Sequence, residues 1–306
     1  MKKLIQKFIL FLLIILSILG IFGVFFFKYV APQYSDSYTA SLVDKYHSLK
    51  NIEEPKIVLL GDSNVAFGIK SELLEESFGM PVVNMGLQTG LGNAFLENLA
   101  KINVAEGDIY IICHTTYSDD GKFLDPSLAW VTLENHSEFW NLMTPVQAFQ
   151  LPAAFPYYFR NATALWVTNK GNTTANGVYS RAAFNEYGDI SYIRDTCCYQ
   201  FTEQILPEIN ETCTNRINEL NKYLTERGAS LYISAYPIGN GEYTPDASEY
   251  IKFQNQLDAS LDCPIISDFT DYFFDYRYFW DSPLHLTDEG ATLRTEQLIE
   301  DLRRLE

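Results

Sequence analysis

Basic side chains are scarce in this chain: 22 Lys and Arg stand against 39 Asp and Glu in 306 residues, a net charge of −17. Four of the lysines (Lys2, Lys3, Lys7, Lys28) fall in the first 30 residues, which contain no acid, so the remainder carries 18 basic against 39 acidic side chains, a net charge of −21. Such a surface repels phosphate backbones, which excludes nucleic acid as a partner. An anionic polymer would have to be met through a local neutral or basic cleft, and most of the charge serves simply to keep an exported domain soluble. Histidine is nearly as rare, with 4 residues and neither a His-x-x-x-His nor a Cys-x-x-Cys spacing. The usual ligand clusters of a metal centre are therefore missing, and no metal or other cofactor is expected. The 5 cysteines are an odd number and do not make a disulfide framework. Cys113 ends an apolar run and reads as a packing residue, whereas the spacing of Cys197, Cys198 and Cys213 permits one bridge to Cys213 in an oxidising compartment.

Charge is absent altogether between Phe8 and Phe27, where only Ser17, Gly20 and Gly23 interrupt large apolar side chains. A run of this length crosses a bilayer as a helix. Lys2, Lys3 and Lys7 precede it and only Lys28 comes closely after it, a bias that holds the N-terminus in the cytoplasm and exports the rest of the chain. A cleavable signal would have a shorter apolar region and a small-x-small site, and a buried core helix of a soluble protein would show a polar face. The expectation is a single-pass cell-membrane protein with an extracellular domain and its bilayer contact through residues 8–27. Residues 1–30 then form the cytoplasmic N-terminus and anchor, 31–55 a linker, and 56–306 one domain, long enough to bury its own core.

Beyond the anchor, strand and helix signals alternate. Lys56 to Leu60, Pro81 to Met85, Asp108 to Cys113, Ser230 to Tyr236 and Pro264 to Ile266 read as strands. Ser71 to Phe78, Gly92 to Val104, the Ile217–Leu220–Leu224 segment ending at Gly228, Ala247 to Leu261 and Asp288 to Leu305 read as helices. Alternation of this kind implies an α/β fold with a parallel sheet covered on both faces. The stretch 116–201 breaks it, being rich in aromatics such as Trp130, Phe155, Tyr158 and Trp166 and, at 169–176, in Asn, Thr and Gly. It reads as an insertion over the active-site face, whose rings either pack as a lid or stack on a sugar or grip an acyl chain.

Two short motifs carry chemistry. Gly61-Asp62-Ser63-Asn64 comes directly after the first strand, and Asp281-Ser-Pro-Leu-His285 precedes the last helix. A serine on a sharp turn needs an imidazole to take its proton and a carboxylate to fix the imidazole tautomer, and these residues supply all three for acyl transfer. Active sites of open α/β sheets collect at the carboxyl ends of strands, where both motifs fall. Asp275 is far upstream of His285, and Asp288 suits the first turn of the last helix as a dipole-complementing anion.

Both motifs, in this order, resemble those of the GDSL/SGNH hydrolase family. The resemblance implies a three-layer flavodoxin-like SGNH sandwich in which Ser63 is the nucleophile, His285 the base and Asp281 its orienter. It further implies an oxyanion hole built from the backbone N–H groups of Ser63 and Gly86 and from an asparagine in a third block. Two departures stand out: the acid lies four rather than three residues before the histidine, with Ser282 and Pro283 between, and the third block is replaced by His114-Thr-Thr-Tyr-Ser. Thr115, Thr116 and His114 are the candidate substitute donors, and Asn64 a candidate support of the turn. The plan of one anchor plus one such domain is similar to that of family members working beside membrane-bound O-acyltransferases in teichoic acid D-alanylation and alginate acetylation. The resemblance therefore implies a serine esterase or O-acyltransferase acting on acyl esters of cell-envelope glycopolymers. A tethered lipid or small-ester hydrolase and a non-catalytic carbohydrate-binding protein are the alternatives.

Overall fold

The computed structural model describes residues 1–134, 136–171 and 177–305; the 172–176 portion of the Asn/Thr/Gly-rich segment lies outside the described residues. Four short apolar runs form a parallel sheet: β1 (Ile57–Gly61), β2 (Val82–Asn84), β3 (Ile109–Cys113) and β4 (Ser230–Ile233), in the order β2-β1-β3-β4. Ile57 sits opposite Val82 on one side and Ile109 on the other, and Ile109 opposite Ser230. The helices are, in chain order, α1 (Lys2–Phe25), α2 (Leu42–Asn51), α3 (Ser63–Gly68), α4 (Ser71–Phe78), α5 (Asn93–Asn98), α6 (Pro126–Leu133), α7 (Pro145–Thr168), α8 (Glu211–Thr225), α9 (Ala247–Asp258) and α10 (Asp288–Arg303).

Strand side chains alternate between faces, and the core divides accordingly. Val58, Leu60, Tyr110 and Ile112 join the larger cluster with Leu96 of α5 and Ile217, Leu220 and Leu224 of α8. Ile57, Leu59 and Ile111 join a smaller one with Leu74 of α4 and Leu298, Ile299 and Leu302 of α10. A mixed α/β fold around a central parallel sheet is thus what the alternating pattern produces. The expected fifth strand, 264–266, lies in place beside β4 but makes only a parallel bridge, Ile265 to Ile233, because the segment is too short to extend the ladder. A small second parallel sheet, β5 (Ile238–Asn240) with β6 (Phe273–Asp275), gave no signal in the sequence: three-residue strands carry no readable period. The reading of Gly92 to Val104 as one helix is corrected too. The α-helix covers only α5, and a 3-10 turn, Leu99–Lys101, tightens its end.

Residues 31–55 are not a free linker. Ala31, Leu42 and Leu49 are fully buried, and the amphipathic α2 lays its Leu42–Lys45–Leu49 face on the domain. Upstream, α1 runs into a π-helical turn, Phe26–Val30, and Lys2–Val30 is long and apolar enough to cross a membrane, a property that a bilayer span and a secretion signal share. No residue of α1 is buried in the domain. The turn that follows it meets the insertion, with Phe26 against Phe159 at a ring-centroid distance of 4.7 Å.

Candidate active site

β1 ends at Gly61 because the chain must pass close to its neighbour: a Cβ there would lie 2.5 Å from Val65 Cγ2 and 2.9 Å from the Cys113 carbonyl oxygen. Asp62 then caps α3. Its Oδ1 accepts the Asn64 N–H at 2.8 Å and the Asn64 side-chain amide at 2.7 Å, and its Oδ2 accepts the hydroxyls of Thr115 at 2.7 Å and Thr89 at 3.2 Å. Ser63 is therefore the first residue of a short helix held at the carboxyl end of the sheet. Asn64 is the pin of this turn. Its amide also donates to the Cys113 carbonyl at 2.9 Å, while its carbonyl and side-chain oxygens accept from Arg294 at 2.7 and 2.8 Å.

His285 arrives from a loop closed like a hairpin. Phe279 and Leu286 form an antiparallel bridge, the Trp280 N–H donates to the His285 carbonyl at 2.8 Å, and the Thr287 N–H donates to the Tyr278 carbonyl at 2.8 Å. Inside this closure the Ser282 hydroxyl accepts the N–H groups of Leu284 at 3.2 Å and His285 at 3.1 Å. The extra residue between acid and histidine is absorbed in this turn, which lets Asp281 point back at the ring. His285 Nδ1 lies 2.7 Å from Asp281 Oδ1 and Nε2 lies 2.8 Å from Ser63 Oγ. A carboxylate only accepts, so Nδ1 carries the proton and Nε2 is left to accept from the serine. Phe67, a buried residue of α3, stacks on the imidazole at 3.9 Å with the planes 9° apart.

Tyr179, from the insertion, completes the arrangement. Its hydroxyl donates to Asp281 Oδ2 and lies 3.4 Å from His285 Nδ1. Partial burial works to raise the Asp281 carboxyl, but the hydrogen bonds from His285 and Tyr179 outweigh it and hold the group below the usual carboxylate range. Burial, reinforced by the bond to Asp281, raises Tyr179, which stays a neutral phenol. The carboxylate is thus charged, doubly hydrogen-bonded and fixed against the imidazole.

The other expected site residues separate. Gly86 is corrected as an oxyanion donor: its N–H donates to Asn84 Oδ1 at 2.9 Å, and the glycine serves close packing, since a Cβ would meet the Ala66 nitrogen at 2.6 Å. His114 is buried with its Nε2 3.2 Å from Glu97, which also accepts from Arg216, so its ring is engaged in a charged cluster. Thr115 supports Asp62, and the Thr116 hydroxyl lies 3.1 Å from that of Ser118. Of the expected donors this leaves the Ser63 N–H, at the start of α3 where no intrahelical acceptor exists. Asp288 accepts from Lys70 at 2.8 Å and from the Arg194 backbone at 2.9 Å, and Asp275 caps the turn before the histidine loop through the Arg277 N–H.

Sequence reasoning missed Tyr179, Phe67, Ser282 and Arg294. Arg294 alone left a trace: it falls between Ala291 and Leu298 on the buried face of α10, a charge where the helical period calls for an apolar residue. All 5 cysteines are free; Cys213 is buried beside Arg216, whereas Cys198 is exposed near Trp280, so the bridge that the spacing permits is not made. A cleft of 380 Å³ opens beside the serine turn, lined by Thr115, Thr116, Phe201, Tyr236, Pro283 and Leu284 among others. Among the described residues no three His, Cys, Asp or Glu side chains converge as a metal site. Comparisons with protein-family models, with curated proteins and with solved structures find no match to this chain.

Proposed function

We propose that this chain is a membrane-anchored, extracytoplasmic serine esterase or O-acyltransferase that works on acyl esters of cell-envelope glycopolymers. The observation that carries the proposal is the continuous relay from Ser63 Oγ to His285 Nε2 at 2.8 Å and from His285 Nδ1 to Asp281 Oδ1 at 2.7 Å. In this reading Ser63 Oγ attacks the acyl carbonyl as its proton passes to His285 Nε2, and Asp281 stabilises the imidazolium that forms. The Ser63 N–H faces the developing oxyanion. Collapse expels the alcohol, which takes the proton from His285 and leaves an acyl ester on Ser63. A second hydroxyl, from water or from a sugar, then attacks in the same way and restores the serine. The sheet covered on both faces and the Gly61-Asp62-Ser63 and Asp281–His285 motifs support a three-layer, flavodoxin-like SGNH sandwich. Lys2, Lys3 and Lys7, before the uncharged run Phe8 to Phe27, support an N-terminus in the cytoplasm, and a membrane-bound O-acyltransferase is the partner this arrangement suits.

A second reading, a tethered hydrolase of lipids or small esters, is favoured by one feature. A groove of 320 Å³ is lined by Tyr34 and Tyr38, just after the apolar helix, and by Tyr179 of the site. An acyl chain leaving the bilayer would meet it first. A fluorophosphonate probe tests the shared chemistry: it is expected to label the full-length protein in detergent at Ser63, and labelling that persists unchanged in Ser63→Ala would overturn the nucleophile assignment.

A further inference from the structure

α7 does not have the surface of a helix facing water. Its 24 residues contain a single charge, Arg160, in a chain whose portion after the first 30 residues is otherwise strongly acidic. Its inward face is Gln147, Leu151, Tyr158 and Ala162. Its outward face, at helical spacing, is Val146, Phe149, Ala153, Tyr157, Arg160, Ala164 and Val167, and there Phe149 is 86% exposed, Val167 70% and Tyr157 53%. A helix packed on one face of a soluble domain carries polar and charged residues on the other. Contiguous apolar exposure of this kind marks a surface that meets something other than water.

The position of α7 says what it meets. Its C-terminal half crosses the end of α1: Phe159 lies 6.1 Å from Phe22 and 4.7 Å from Phe26, and Trp166 lies 6.1 Å from Phe25, edge to face. Phe22 stands five residues before the end of the apolar run at Phe27, which is about 8 Å inside at the rise of an α-helix. With α1 across a bilayer, Phe159 and Trp166 are therefore held at the depth of the headgroup–acyl boundary, where Trp and Tyr rings settle. Arg160 lies 5.2 Å over the Tyr157 ring and Lys28 5.3 Å over the Tyr29 ring, two cations beside aromatic rings, suited to lipid phosphates.

From this juxtaposition we infer that α7 is a second membrane contact, a helix lying in the interface of the bilayer that α1 crosses, with Val146, Phe149, Tyr157, Trp166 and Val167 against lipid. The inference rests on α1 being a span and not on the acyl chemistry. Two attachments, one across and one along the membrane, fix the orientation of the domain and hold the groove from Tyr34 to Tyr179 near the lipid surface, whereas a lone span would let the domain swivel.

The test is site-directed spin labelling of the full chain in vesicles of phosphatidylethanolamine and phosphatidylglycerol, in a Cys197→Ser/Cys198→Ser background. Labels go at Phe149→Cys and Val167→Cys, with Leu13→Cys as a mid-span reference and Lys252→Cys, on the exposed side of α9, as a water-phase reference. At positions 149 and 167 the accessibility to oxygen relative to a water-soluble nickel chelate is expected to be several-fold above that at 252 and to approach that at 13. Labels at 149 and 167 that behave like 252, while 13 reports lipid, would overturn the interfacial helix. Labels shielded from both reagents would overturn it in favour of a protein partner on α7. A label at 13 outside lipid would remove the span and the inference together, whatever Ser63 does with a fluorophosphonate.

Discussion

Two aromatic clusters in this protein have the same ingredients and opposite electrostatics. Around His285, the rings of Phe67, Trp280 and Tyr179 pack together beside a carboxylate, Asp281, that stays ionised below the usual range because His285 and Tyr179 donate to it. At the end of α1, the rings of Phe26, Trp130, Phe155 and Tyr158 pack together near a second carboxyl, Glu134, whose Oε1 makes no hydrogen bond and whose pKa is pushed up to about 8 chiefly by burial. Aromatic walls lower the dielectric in both places, and the number and charge of the donors decide whether a buried carboxyl keeps its charge. The first cluster holds an ion against His285, which in turn meets Ser63. The second is built to expel one where the domain meets the apolar helix.

Substitution at Asp281 breaks the comparison most strongly. Asp281→Asn is expected to slow fluorophosphonate labelling of Ser63 by roughly 10⁴-fold, because the amide favours the wrong imidazole tautomer. Stability should change by no more than about 1 kcal/mol, since the pair is partly exposed; a labelling rate like that of the unaltered chain would remove Asp281 from the relay. Tyr179→Phe should cost less, about 1.5 to 3 kcal/mol or roughly 10- to 100-fold in labelling rate, as one donor to a charged group is lost. It should also raise the pKa of the Asp281 carboxyl, followed by carbon NMR of labelled aspartate, because the bond it deletes is one of those that hold Asp281 low. An Asp281 titration that does not move would make Tyr179 packing only.

Asp288→Asn tests the other acid near the histidine. Lys70 and Arg194 hold Asp288 below the usual carboxylate range despite burial, so its contribution to stability is present above the ordinary carboxylate pKa and is lost as pH falls through the depressed one. The variant should lose about 1 to 3 kcal/mol at neutral pH by weakening the partner of the buried Arg194, with the Ser63 labelling rate unchanged. The reverse ranking of Asp288 and Asp281 in labelling would exchange their roles.

The most gradual effect is at Glu134. A raised folded-state pKa gives stability that is fully present below the unfolded value of 4.5 and is lost as pH rises to about 8, since the unfolded chain releases the proton first. Glu134→Gln should therefore raise the urea midpoint in detergent by an amount that grows from pH 4.5 to 8 and then levels off. A difference that does not vary with pH would mean that Glu134 is ionised and the two clusters are alike.

Much of the fold and site was legible because it rests on local rules. The apolar runs at Ile57 and Ile109 are bounded by turn residues, the α10 period is regular, and Gly61-Asp62-Ser63-Asn64 states its own turn chemistry. The acid was legible only in part, since the spacing from Asp281 to His285 looked wrong until the Ser282 hydroxyl was seen to gather two backbone N–H groups. Gly86 was misread because a motif gives the residue and not the acceptor its N–H finds; that acceptor is Asn84. The insertion was opaque: α7 contains Pro152 and Pro156, which argue against a helix locally, and its rings have no short period to betray which of them face lipid, core or site.

By itself, then, the sequence determined the apolar helix, the parallel α/β frame and the serine and histidine, because each depends on hydrophobic period, charge or turn chemistry within a short stretch of chain. Only the tertiary structure decided that Tyr179 reaches from the insertion to Asp281, that Arg294 locks the Ser63–Asn64 turn from α10, and that α7 lies against the end of α1. Those contacts join segments distant in the chain, and their geometry comes from how the sheet, insertion and last helix pack together, which no local pattern encodes.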